Sequence, residues 1–263
     1  MNGRRTPVPR RSALRASAGA LLAGAGTAGC TQDDTATPAL QKGQKGQKPP
    51  VAVRTAPAPH RFPGRPVQIE HGPRNRNRVA LTFHGQGDPA LARTVLAEAE
   101  RAGARLTVLA VGSWLDEHPE MARRILDGGH DLGNHTQRHL DINAMDEAQA
   151  YAEITGCAQR LHRLTGSIGT WFRPSRAQHA TPLVQNLARR AGYAHVLAYD
   201  VDSLDFTSPG VAAVTRKVAG ELRNGSVVSL HFGYRDTVAA LPLLLTEIDR
   251  RQLRAVTTTE LLT

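Results

Sequence analysis

From Val79 onward the chain alternates short apolar runs with amphipathic stretches, and this alternation limits its fold more than any other feature. Val79-Ala80-Leu81-Thr82-Phe83 reads as a buried strand, followed by a helix over 89–102 with Asp88 as its N-cap and Gly103 as its stop. Further strands are predicted over 106–111, 130–134, 170–173, 196–200, 227–231 and 254–256, with helices over 119–126, 146–164, 182–191, 211–222 and 237–250 between them. Strand and helix in turn require a mostly parallel sheet covered by helices, open or closed into a barrel.

The first 78 residues differ in kind. Arg10-Arg11-Ser12-Ala13-Leu14-Arg15 and the weakly apolar run from Ser17 to Gly29 form an export signal over 1–30, too short and too rich in Gly and Ala to span a bilayer. Thr27-Ala28-Gly29-Cys30 resembles the lipoprotein cleavage site, whose cysteine is acylated; Thr27 stands where an aliphatic residue is usual, and cleavage at a small-residue site is the competing reading. Residues 31–78 are rich in Pro, Gln, Gly and Lys and are expected to be a flexible, disordered tether. With Cys30 lipidated or removed, Cys157 stands alone, and no disulfide framework exists.

The net charge of +10 lies entirely in this arm: 1–30 carry five Arg and no acid, 31–78 nine basic and three acidic residues, and 79–263 nineteen basic against twenty acidic. A neutral domain without aromatic and basic residues interleaved argues against a nucleic-acid binder. The basic linker suits attraction to anionic envelope polymers, or is simply solvated.

Within 79–263 the polar residues gather just after strands: His84, His135 and His139, Arg173, Asp200 to Asp205, and His231. In a parallel α/β sheet or barrel, groups beyond the carboxyl ends of strands converge on one face, where active sites are built. His135 and His139, four apart, are expected on one side of a helical turn, where they can share a metal.

Four motifs in order carry a family resemblance. Gly128-Gly129-His130-Asp131-Leu132-Gly133-Asn134-His135-Thr136-Gln137-Arg138-His139, then Phe172-Arg173-Pro174, then Tyr199-Asp200-Val201-Asp202-Ser203-Leu204-Asp205-Phe206, then Val227-Val228-Ser229-Leu230-His231 resemble motifs two to five of the polysaccharide deacetylases. This is the NodB-homology group, carbohydrate esterase family 4. The resemblance spans essentially all of 79–263 and implies a distorted (β/α) barrel. It implies a divalent metal, most simply zinc, on His135 and His139, with Arg173 steadying the catalytic base and His231 as the acid oriented by Asp205. The implied substrate is an N-acetylated cell-wall or related polysaccharide, outside the cell membrane or in the wall, with membrane contact only through a lipid on Cys30.

The first motif departs from the family. The usual Thr-Phe-Asp-Asp-Gly supplies a base and a third metal ligand, whereas this chain has Thr82-Phe83-His84-Gly85-Gln86-Gly87-Asp88. Three readings stay open: His84 is the base or a third imidazole ligand, Asp88 swings in as ligand, or the site has decayed and the protein binds wall glycan without turnover. His130, His179 and His195 read as structural or surface residues, Trp114 and Trp171 as core, and Arg176 as an exposed cation near the cleft entrance.

Overall fold

The computed structural model describes residues 55–263; the expected export signal, Cys30 and the first half of the expected linker lie outside them. The chain runs β1 (Gln68–Ile69), β2 (Arg78–Gly85), α1 (Pro89–Arg101), β3 (Thr107–Ala110), α2 (Gly112–Glu117), α3 (Glu120–Asp127) and β4 (Asp131–Asn134). It continues through α4 (Glu147–Thr165), α5 (Pro182–Arg190), β5 (Val196–Leu197), β6 (Val201–Asp202), α6 (Val211–Glu221), β7 (Val227–His231), α7 (Arg235–Arg250), β8 (Arg254–Ala255) and α8 (Thr258–Leu262). The fold is the distorted (β/α) barrel that the family resemblance implies, and it agrees with the alternation of strand and helix.

β2 is central because it is buried on both faces: every residue after Arg78 is buried. It pairs in parallel with β3 on one side and β7 on the other. The order β4-β3-β2-β7-β6 is continued by single bridges, since Phe172 pairs with Asn134 on one side and with Val196 on the other. The run from Val196 to Asp202 thus joins Phe172 to β7 and closes the ring. The strand predicted over 170–173 reduces to the Phe172 bridges and that over 196–200 to the short β5, with β6 following just beyond it. Gly133 permits the approach of this segment: a Cβ there would lie 2.6 Å from the Trp171 carbonyl oxygen.

α1 starts as its sequence predicts, with the Asp88 carboxylate accepting from the Ala90 amide at 2.8 Å and Pro89 in the first turn. Two short helices, α2 and α8, were not expected. α8 opens with a capping box between Thr257 and Glu260, a pattern legible as T-x-x-E.

The largest apolar cluster lies between the sheet and the helices, where Leu81, Phe83 and Val108 meet Leu96, Ile125, Leu241 and Leu244. A second fills the barrel interior with Ile69, Ala80, Leu109, Trp171 and Leu261. The linker boundary expected at 78 is corrected here. Phe62 and Ile69 are buried in the interior cluster, Phe62 stacks on Trp171 at 5.4 Å, and β1 pairs with β5, so residues 55–78 contribute core that their polar composition conceals. His195 fastens this segment by accepting from the Phe62 amide and bonding the Pro66 carbonyl.

Candidate metal centre

Parallel register builds the first half of the site. His84 on β2 lies opposite His231 on β7, so their side chains leave neighbouring strands in the same direction. Their rings stack with centroids 4.1 Å apart and planes 20° from parallel. Ser229, two residues earlier on the same face of β7, places its Oγ 2.9 Å from His84 Nε2.

The other imidazoles follow β4, but not on a helical turn as expected. Thr136 and His139 take left-handed backbone conformations, φ 68° and 56°. This tight loop is held by Asn134 Oδ1, which accepts from the Thr136 amide at 2.8 Å, and by Thr136 Oγ1, which accepts from the His139 amide. The loop brings the His135 and His139 rings to 4.8 Å.

His135 Nδ1 lies 3.1 Å from the Arg173 carbonyl oxygen, an acceptor, so Nδ1 carries the proton and Nε2 presents its lone pair to the centre. That Nε2 is 2.7 Å from His84 Nδ1. The ligand-capable atoms of His84, His135 and His139 all lie within 4.8 Å of one another, and no other such cluster occurs among the described residues. Tetrahedral zinc with bonds of about 2.0–2.1 Å spaces its nitrogens about 3.3 Å apart, so a small opening of the His84–His135 contact accommodates it. Ser229 can donate or accept, so it supports either tautomer of His84, including the one that frees Nδ1.

Electrostatics favour neutral rings. Burial, then His135, His231 and Arg173, lower the pKa of His84 well below the usual imidazole value. Burial and His139 do the same to His135, and His139 falls to about 4 through burial, Arg176 and His231. Such rings keep their lone pairs for a cation and make poor proton acceptors near neutral pH.

Opposite them, Asp205 is fully buried. Its Oδ1 lies 2.7 Å from His231 Nδ1, and its Oδ2 accepts from the His231 amide at 2.8 Å and the Thr237 hydroxyl at 2.6 Å. Burial alone would raise this carboxyl; the hydrogen bonds from His231 and Thr237 outweigh it and hold the pKa below the ordinary value. With Nδ1 engaged, His231 turns Nε2 to the cleft.

Arg173 is wholly buried, with Nε and one Nη donating to the carbonyls of Leu197 and Ala198, both at 3.1 Å. Its guanidinium lies over the Tyr199 ring at 5.3 Å, its pKa is pulled to about 10 by burial, and Nη1 is buried without a hydrogen-bond partner. It meets no carboxylate among the described residues; its contribution to the imidazole centre is the carbonyl that orients His135.

Gly85 and Asp88 stand apart. A Cβ on Gly85 would point to the helix side, 2.9 Å from Val108 Cγ1 and 3.0 Å from Ala110 Cα, so position 85 does not face the imidazoles. Asp88 is exposed and committed to the α1 cap. His130 is buried, with Nδ1 accepting from the Leu106 amide, and His179 pairs with Glu70 at the surface. The cleft beside the imidazoles measures about 350 Å³, and Arg176, Asp202, Phe206 and Tyr234 form part of its wall. A depression of about 620 Å³ between α1, α7 and β8 lies at the amino end of β2 and holds none of these groups. Sequence analysis placed Asp202 and Ser229 within motifs but gave neither a role of its own; the period of two along β7 was the available signal for Ser229.

Fold and site together define a (β/α)-barrel protein with an imidazole-lined cleft at the carboxyl ends of its strands. Residues 71–196 match the family described as polysaccharide deacetylase. A peptidoglycan-N-acetylglucosamine deacetylase of Bacillus cereus is 31% identical over 195 residues, covering 72% of this chain and 90% of the relative. A chitooligosaccharide deacetylase of a Bradyrhizobium species is 29% identical, covering 66% and 85%. Among solved structures, a carbohydrate esterase family 4 pseudoenzyme from Bacillus anthracis superposes with a TM-score of 0.70 at 22% identity, covering 76% of this chain and 70% of that one. A mutant of that pseudoenzyme with restored enzymatic activity gives the same score and identity, covering 76% and 72%. The chain belongs to the polysaccharide deacetylase family, carbohydrate esterase family 4, which contains hydrolases of carbon–nitrogen bonds other than peptide bonds as well as pseudoenzymes.

Proposed function

We propose that this protein is an exported, metal-dependent deacetylase that removes N-acetyl groups from a cell-wall polysaccharide, with His84, His135 and His139 as its metal ligands. The observation that carries this reading is the convergence of three neutral imidazoles beside the Asp205–His231 pair in one cleft. A bound divalent cation of the zinc class polarises an acetamide carbonyl and acidifies water. His84 serves here as the third ligand rather than the base, because its environment disfavours protonation. His231 donates its Nε2 proton to the leaving amine, while Asp205 orients the ring and compensates the charge it carries as a donor. Arg173 positions His135 through its carbonyl.

The names of the relatives, together with the twin-arginine segment before Cys30, support an exported location and an N-acetylated wall glycan as substrate. The basic linker would hold the domain near anionic envelope polymers, with or without a lipid on Cys30.

A second reading, a glycan-binding relative without turnover, is favoured by two observations: neither first-motif carboxylate is present, and Arg173 Nη1 lacks a partner among the described residues. Metal content measured together with acetate release from N-acetylated chito-oligosaccharides and wall-glycan fragments separates the two. Stoichiometric metal with acetate release is expected; metal without acetate from any fragment would overturn the hydrolase.

A further inference from the structure

The altered first motif leaves the attacking water without the carboxylate that would take its proton, and the cleft supplies another. Of the described residues that line it, Asp202 is the only carboxylate. Asp205 has both oxygens engaged by His231 and Thr237, and Asp88 caps α1. Asp202 is half-buried; its Oδ1 accepts from the Leu204 amide at 3.1 Å, closing the turn after β6, and its other oxygen has no partner among the described residues.

Its place in the ring is specific. Asp202 on β6 is in register with Ser229 on β7, whose Oγ lies 2.9 Å from His84 Nε2. Neighbouring strands are about 4.8 Å apart, so a carboxylate one strand beyond Ser229 reaches the volume that the imidazoles border. Behind it, its charge acts on Tyr199 and on Arg173, offsetting part of the burial that depresses the guanidinium.

We propose that Asp202 is the general base of the deacetylation, replacing the missing first-motif carboxylate from the opposite side of the barrel. This rests on the deacetylase reading above. Water oxygen bonds to the acetamide carbonyl carbon as one of its protons passes to the Asp202 carboxylate. The carbon–nitrogen bond then breaks as His231 gives its Nε2 proton to the amine nitrogen. Acetic acid and the free amine leave, and solvent returns the Asp202 proton to His231, so atoms and charge balance.

Two variants of the full chain test it. Asp202→Asn keeps an oxygen for the Leu204 amide, so the turn is preserved. Its kcat is expected to fall at least about 100-fold with KM and metal stoichiometry unchanged. Asp202→Ala should lose activity similarly and regain part of it on addition of formate, which should not accelerate the parent protein. Unchanged kcat in Asp202→Asn, or loss of metal together with kcat, overturns Asp202 as base while leaving the deacetylase reading in place. A parent protein that binds metal yet releases no acetate overturns that reading, and the base with it.

Discussion

At the residue scale, the site depends on which atom of each side chain is already engaged. Two imidazoles of the centre are steered through their second nitrogen: His135 by the Arg173 carbonyl and His84 by Ser229. Asp205, holding His231, gives the clearest pH signature. Its folded pKa is lowered, so its contribution to stability is fully present above the unfolded carboxyl value of about 3.9 and is lost as pH falls through the folded value. Denaturant midpoints taken from pH 5 downward should therefore fall more steeply in the parent than in Asp205→Asn, and parallel curves would contradict this. Gly85→Asp tests whether position 85 can regain a ligand. The new carboxylate would meet Val108 and Ala110 on the helix side, so a loss of about 3 kcal/mol in stability is expected without added metal affinity. A stable variant that binds metal more tightly would refute that geometry.

At the element scale, β2 links core to chemistry by its period of two. Leu81 and Phe83 pack against the helices, while Thr82 and His84 face the interior, where Thr82 donates to the Val228 carbonyl at 2.7 Å. A slip of one residue would turn His84 out of the cleft, and buried parallel partners on both sides prevent it. The start of α1 shows how a residue with two readings is decided by its hydrogen bonds. Asp88→Ala should cost about 1 kcal/mol in thermal or denaturant unfolding, the usual price of an N-cap, and leave metal stoichiometry unchanged. Reduced metal content in that variant would return Asp88 to the ligand set.

At the scale of the whole molecule, a cation that binds the folded state alone would add stability by mass action to that of the apolar clusters. At a hundredfold excess over its Kd, zinc should stabilise the protein by about 2.7 kcal/mol, a Tm rise of roughly 5–10 °C for a domain of this size. His135→Ala should fold and lose that rise; an undiminished shift would remove His135 from the centre. The sequence by itself determined a mostly parallel α/β architecture, the strand ends where function gathers and the residues of four motifs. Those properties follow from hydrophobic period and residue type, which are local. Tertiary structure alone decided that residues 55–78 supply core, that His84 lies beside His135 and Ser229, that Gly85 faces away and that Asp202 enters the cleft. These are outcomes of register between strands far apart in the chain, and the pairing that sets register is formed only when the ring closes.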